Sequence, residues 1–200
     1  TLAHAQYSPR KDYVWARDIS VAASPTITLD GVLTEAVWAK AESIQVAYGV
    51  ADGNPGSGWK TTTLGGTPTD GPRATIKFLS DRTKNQVFIA VIAKDSSVGG
   101  AGWENADGLL AGIYDRTKKA SSQVTLHRDI FITWVDSTTV GALPNLKGGD
   151  LPANGIVTAS ASVQGLSNSD TNSTGQRVAD AGYTLELAVA LDSIGYNANR

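Results

Sequence analysis

Cysteine and methionine are both absent from the 200 residues, and histidine occurs only twice. Without thiols there is no cysteine nucleophile, no thiolate zinc site and no disulfide. With no Met and no C-x-x-C-H run, haem ligation has little to draw on. His4 and His127 are too few for a multi-histidine metal centre, and a lone His near a strand end is ordinarily structural. Excess charge is missing as well: 17 Lys and Arg stand against 19 Asp and Glu, a formal charge of −2. The basic residues are scattered, with no stripe able to neutralise a phosphate backbone, so nucleic acid is not an expected partner. No apolar run approaches the roughly 18 residues that cross a bilayer as a helix, and no strongly basic amphipathic helix is visible, so membrane insertion is not expected. The sequence also lacks G-x-x-x-x-G-K-[ST], G-x-G-x-x-G and G-x-S-x-G, and no acidic spacing identifies a glycosidase pair. It predicts no catalysis.

What the chain does have is a set of short alternating apolar runs, enough to bury a core unaided. Residues 1–25 read as an N-terminal arm or a first edge strand, with Pro9 and Pro25 near the ends of its polar stretch. Within it, Ala3-His4-Ala5 has the small-x-small form of a signal-peptidase site, and cleavage there leaves Gln6 first. The sandwich domain is expected over 26–200. Thr26 to Leu29 alternates, Asp30-Gly31 marks a turn, and Thr34 to Ala41 reads as a short helix with Thr34 as its N-cap. Gly49 to Arg73 is dense in Gly, Pro, Thr and Asp and reads as a long surface loop around Trp59. Ile76 and Phe78, then Val87, Ile89, Val91 and Ala93, fall on alternate positions around a polar turn at Ser80 to Asn85, which makes a hairpin. Further strands are expected at Leu109–Tyr114, Ile130–Val135, Gly155–Val163 and Tyr183–Ala190. The fold class predicted is all-β: an antiparallel two-sheet β-sandwich, jelly-roll-like, with one short helix near the N-terminus. Trp38, Phe78, Ile89, Val91, Leu185 and Leu187 are its expected core.

Four segments, in order, resemble carbohydrate-binding module family 9. Ile27-Thr28-Leu29-Asp30-Gly31 running through Glu35 and Trp38 to Ala41 is similar to the family's opening pattern. Ala74 to Asp81 with Val87 to Asp95 is similar to its central hairpin. Trp103-Glu104-Asn105-Ala106-Asp107 resembles its Trp-Glu-x-Asp stretch with one extra residue, and Gly182-Tyr183-Thr184-Leu185-Glu186 its late Gly-Tyr-x-x-Glu strand. The resemblance implies a glycan-binding sandwich in which Trp38 is core. The family has a further region after its Gly-Tyr-x-x-Glu strand that supplies the last strands and a second stacking aromatic. This chain stops at Arg200, so Tyr183–Ala190 is expected to leave an open edge, covered by another chain or by a missing C-terminal part. The strand after Asp107 carries Leu109, Leu110 and Ala111 where sugar-binding members place an acidic residue.

A sugar offers an apolar C–H face rimmed by hydroxyls, so its site needs an exposed flat aromatic beside donors and acceptors. Trp103, Glu104, Asn105 and Asp107 have that composition, with Trp103 either stacking on a ligand or packing within its loop. Trp59 is the second aromatic candidate, its alternative being to fold back over the sheet. Arg128, beside His127 and Asp129, can fork onto hydroxyls or join a rim salt bridge, and the family often uses a basic residue on a neighbouring strand. Trp134 reads as core and Trp15 carries no reading in isolation. Calcium is the one cofactor left open, with oxygen ligands at Asp95, Asp107 and Asp115 near turns, since related modules often hold it structurally. Asn172-Ser173-Thr174 is read only as part of a polar loop.

The function expected is that of a non-catalytic carbohydrate-binding module of a larger secreted or cell-surface protein, with a polysaccharide or glycan as its partner. The alternative is a structural or adhesive surface domain that keeps the sandwich without a sugar site. An electron-transfer relative holding haem is the weakest of the three readings.

Overall fold

The computed structural model describes residues 14–20, 26–47, 73–95, 98, 107–114, 124–134, 144–147, 157–164 and 180–192. They form nine strands: β1 Arg17–Asp18, β2 Glu42–Ala47, β3 Arg73–Asp81, β4 Gln86–Lys94, β5 Asp107–Tyr114, β6 Val124–Trp134, β7 Pro144–Lys147, β8 Val157–Gln164 and β9 Gly182–Ala190. One 3-10 helix, Ala36–Lys40, precedes β2. The larger sheet runs β1-β3-β4-β9-β8, with β2 also on β3, and a three-stranded sheet runs β5-β6-β7.

Every described pair is antiparallel except one. β1 lies parallel to β3, with Arg17 opposite Leu79 and Asp18 opposite Ser80, so the larger sheet is mixed where a purely antiparallel one was expected. The reason is the outer edge of β3. β2 starts at Glu42 opposite Phe78 and covers β3 only back to Arg73, and the two residues of β1 satisfy the length left beyond it. Part of the N-terminal stretch is thereby an edge strand. β2 and β7 were not anticipated, and β6 begins at Val124, well before Ile130. Its backbone pairing continues through His127-Arg128-Asp129, where the apolar alternation lapses.

The hairpin between β3 and β4 follows the alternation. Phe78 pairs with Ile89 and Ile76 with Val91. Asp81 fixes the turn by accepting from the N–H and hydroxyl of Thr83, at 3.0 and 2.7 Å, and from the N–H of Lys84 at 3.1 Å. Asn85 takes the left-handed conformation there, φ 51°, and its side-chain amide donates to Asp192.

One face of the larger sheet buries Ile89, Val91, Leu185, Leu187 and Val189, with Leu109 of β5 packed against them. Phe78, expected in the core, is only partly buried there. The opposite face, on the other phase of the same strands, buries Leu79, Phe88, Ala90 and Ala188 beneath Ile19, Ile27, Val37 and Trp38. Two apolar layers therefore flank β9, whose residues from Gly182 to Val189 are all buried.

β9 is also paired on both sides. β4 meets it from Gln86 opposite Ala190 to Ala93 opposite Tyr183, and β8 from Val157 opposite Val189 to Gln164 opposite Gly182. The open edge expected at Tyr183–Ala190 is thus corrected: β8 of this same chain lies along it. The expected N-cap is corrected too. Glu35, not Thr34, is the residue preceding the 3-10 helix, and it makes no side-chain cap bond. Its Oε1 instead accepts from the N–H of Thr28 at 2.7 Å, tying the helix start to the alternating Thr26-to-Leu29 segment, which pairs as no strand.

Candidate functional site

Three chain passages meet where β4 ends and β5 and β9 begin. Tyr183 is buried, and its hydroxyl donates to the Gly108 carbonyl at 3.2 Å, bridging the two sheets. Burial pushes its phenol well above the ordinary value of 10.0, and the charges of Asp107 and Asp95 push the same way. Both carboxylates therefore lie within electrostatic reach of one hydroxyl, although eleven residues of chain run between them. That intervening chain is pinned at Val98, which is fully buried and whose N–H donates to buried Asp180 at 2.9 Å. Gly182 closes the corner with φ +141°, where an added Cβ would stand 2.0 Å from the Ala93 carbonyl oxygen.

Of the residues expected to hold ligand, Asp107 is partly buried at the first position of β5. Trp103, Glu104, Asn105 and Trp59 lie outside the described residues. Arg128 stands on β6 opposite Ala111, while Asp107 stands opposite Ile132. Four positions of strand separate the two pairs, roughly 13 Å, so Asp107 and Arg128 do not share a register position. Asp115 also lies outside the described residues. Among the described residues no group of three or more His, Asp or Glu side chains is placed to hold a metal ion.

A second polar centre sits on the opposite face of β9. Glu186, with 0% of its surface accessible, accepts from Gly31 N–H at 2.8 Å and Asp30 N–H at 3.2 Å through Oε2, and from Trp38 Nε1 at 3.1 Å through Oε1. Burial raises its pKa above the ordinary 4.5. The N–H groups of Gly31 and Asp30 pull it down, the charges of Glu35 and Asp30 push it up, and the net direction is upward. Gly31 makes this possible: its φ is +82°, and a Cβ there would lie 2.4 Å from the Ala161 carbonyl carbon of β8. Glu35 Oε2 is buried nearby without a hydrogen-bond partner. Neither Glu186 nor Asp180 was singled out as a site from sequence. The available signal was a carboxylate embedded in the otherwise apolar Leu185-to-Ala190 run.

No protein-family model matches the chain, and no curated protein sequence matches it significantly. No helix among the described residues is long and apolar enough to cross a membrane.

Proposed function

We propose that the chain is a non-catalytic carbohydrate-binding domain of the family 9 kind, a two-sheet β-sandwich within a larger secreted or cell-surface protein. Its glycan site lies at the strand ends joined by the Trp103 segment. The observation that carries this reading is the Glu186 centre. Asp30, Gly31 and Trp38 belong to the first of the four resembling segments and Glu186 to the last, 148 to 156 residues away, and they form one buried hydrogen-bonded unit. Four residues that shape the sequence resemblance thus have a joint physical reason for their types. The gathering of Asp95 and Asp107 beside Tyr183 supports placing the ligand at that end, because these residues bracket Trp103-Glu104-Asn105. Structural calcium, on this reading, draws on Asp95 and Asp107.

Replacing Trp103 by Ala tests the assignment. One indole covering roughly 60–80 Å² of sugar face contributes about 1.5–2 kcal/mol, which supports millimolar-class binding after association costs. The variant is expected to lose detectable glycan binding in calorimetry or affinity electrophoresis and to keep its melting temperature. A specific observation favours the second reading, a structural or adhesive domain: Leu109 packs into the apolar cluster within the stretch where sugar-binding members place an acidic residue. Unfolding of the Trp103→Ala variant, together with a parent chain that binds no glycan, selects that reading.

A further inference from the structure

Trp15 is the most exposed large apolar side chain among the described residues, 76% accessible. A single exposed apolar residue is unremarkable on a protein surface. Here, however, the backbone on both sides of the indole is anchored. The Trp15 N–H donates to Glu42 Oε2 at 2.9 Å, and the Ser80 hydroxyl donates to the Ala16 carbonyl at 2.9 Å. Arg17 and Asp18 pair with β3, and the Ile19 N–H donates to the Ser80 carbonyl at 2.8 Å with its side chain buried. Exposure alternates along this segment: Trp15 and Arg17 are exposed, Ala16 and Asp18 are partly buried, and Ile19 is buried. Trp15 and Arg17 therefore share the outward face, roughly 7 Å apart, next to the exposed carboxylate side chain of Glu42.

We propose that Trp15 is a second sugar-stacking platform, its indole taking the C–H face of a pyranose ring with Arg17 and Glu42 at the rim for hydroxyls. The inference rests on the glycan-binding reading and deepens it. β1 meets β3 at Leu79 and Ser80, whereas Arg73, at the other end of β3, pairs with Lys94 beside Asp95. Because β1 runs parallel to β3, Trp15 lies level with Lys77, four strand positions or roughly 13 Å from Arg73. A pyranose ring stacked on Trp15 does not reach that end of the sheet, so a ligand that engages both is a polysaccharide, bound with the gain that linked contacts bring.

Affinity electrophoresis in gels containing hydroxyethyl cellulose, xylan, soluble starch or mixed-linkage β-glucan tests this with the parent chain and the Trp15→Ala, Trp15→Phe and Trp103→Ala variants. In the retaining polysaccharide, Trp15→Ala is expected to bind roughly 10- to 30-fold more weakly, with Trp15→Phe between it and the parent. Thermal midpoints should be unchanged, because the indole is mostly in solvent. Retention of Trp15→Ala equal to the parent, with loss only in Trp103→Ala, overturns the second platform and leaves the proposed function standing. A parent chain retained by none of the four polymers overturns both.

Discussion

Replacing Gly31 by Ala perturbs the buried carboxylate centre without touching a polar side chain. Two costs can be worked from the geometry. The backbone sits at φ +82°, where a Cβ costs about 1–2 kcal/mol. The new methyl would also lie 2.4 Å from the Ala161 carbonyl carbon and 2.6 Å from the Ser162 nitrogen, both main-chain atoms of a paired strand. No flexible side chain can swing away, so the Asp30–Gly31 turn must lift or β8 must shift, an overpacking cost of about 1–3 kcal/mol. The total, about 2–5 kcal/mol, is a large fraction of a typical domain's stability. For a chain of this size it corresponds to a fall in melting temperature of roughly 4–20 °C. Lifting the turn also lengthens the 2.8 Å bond from Gly31 N–H to Glu186 Oε2. The Gly31→Ala and Glu186→Gln changes should therefore be non-additive, with the double variant less destabilised than the sum of the singles. Urea unfolding of the four proteins supplies the cycle. A Gly31→Ala variant as stable as the parent, or strict additivity with Glu186→Gln, would refute the coupling of turn, strand and carboxylate.

Glu186 also predicts a pH dependence. Its folded pKa lies above its unfolded value, so its contribution to stability is fully present below the unfolded value and is lost as pH rises through the folded value. Stability of the parent relative to Glu186→Gln should fall as pH is raised from below 4.5 to neutrality, and a difference that stays constant in urea titrations across that range removes the assignment. On the other face, Leu185 is fully buried among Val91, Tyr183 and Leu187, and Leu185→Ala should cost about 2–5 kcal/mol in the same assay. A loss below 1 kcal/mol would show that the layer against Leu109 is loosely packed.

Local chemistry made much of the strand pattern readable. Alternation at Ile76, Phe78, Ile89 and Val91 gave the hairpin its register, because a one-residue slip exposes the whole apolar set. The Asp30-Gly31 dipeptide announced a turn, and Asp30 does hold it, accepting the Val32 N–H at 2.8 Å. The second apolar layer was not legible. Leu79, Phe88, Ala90 and Ala188 occupy the phase a half-buried strand gives to solvent, and they are buried because a segment from the chain's beginning lies over them. The ligand-site set was readable only as composition. Trp103, Glu104 and Asn105 fall outside the described residues, and the β5–β6 register sets Arg128 well apart from Asp107.

The sequence by itself determined what repeats every two residues and what a turn demands, since periodicity and backbone freedom are properties of a few neighbouring positions. The absence of cysteine, of surplus charge and of phosphate-binding motifs likewise needed no fold to interpret. Tertiary structure alone decided which strands became neighbours. It set β9 between β4 and β8 rather than at an edge, and it placed β1 parallel on the length of β3 that β2 leaves open. It also turned Glu186 from an oddity in an apolar strand into the acceptor for donors 148 to 156 residues away. Those outcomes depend on contacts between remote segments, where burial requires each polar group to find its partner, and local pattern carries no record of which segment will supply it.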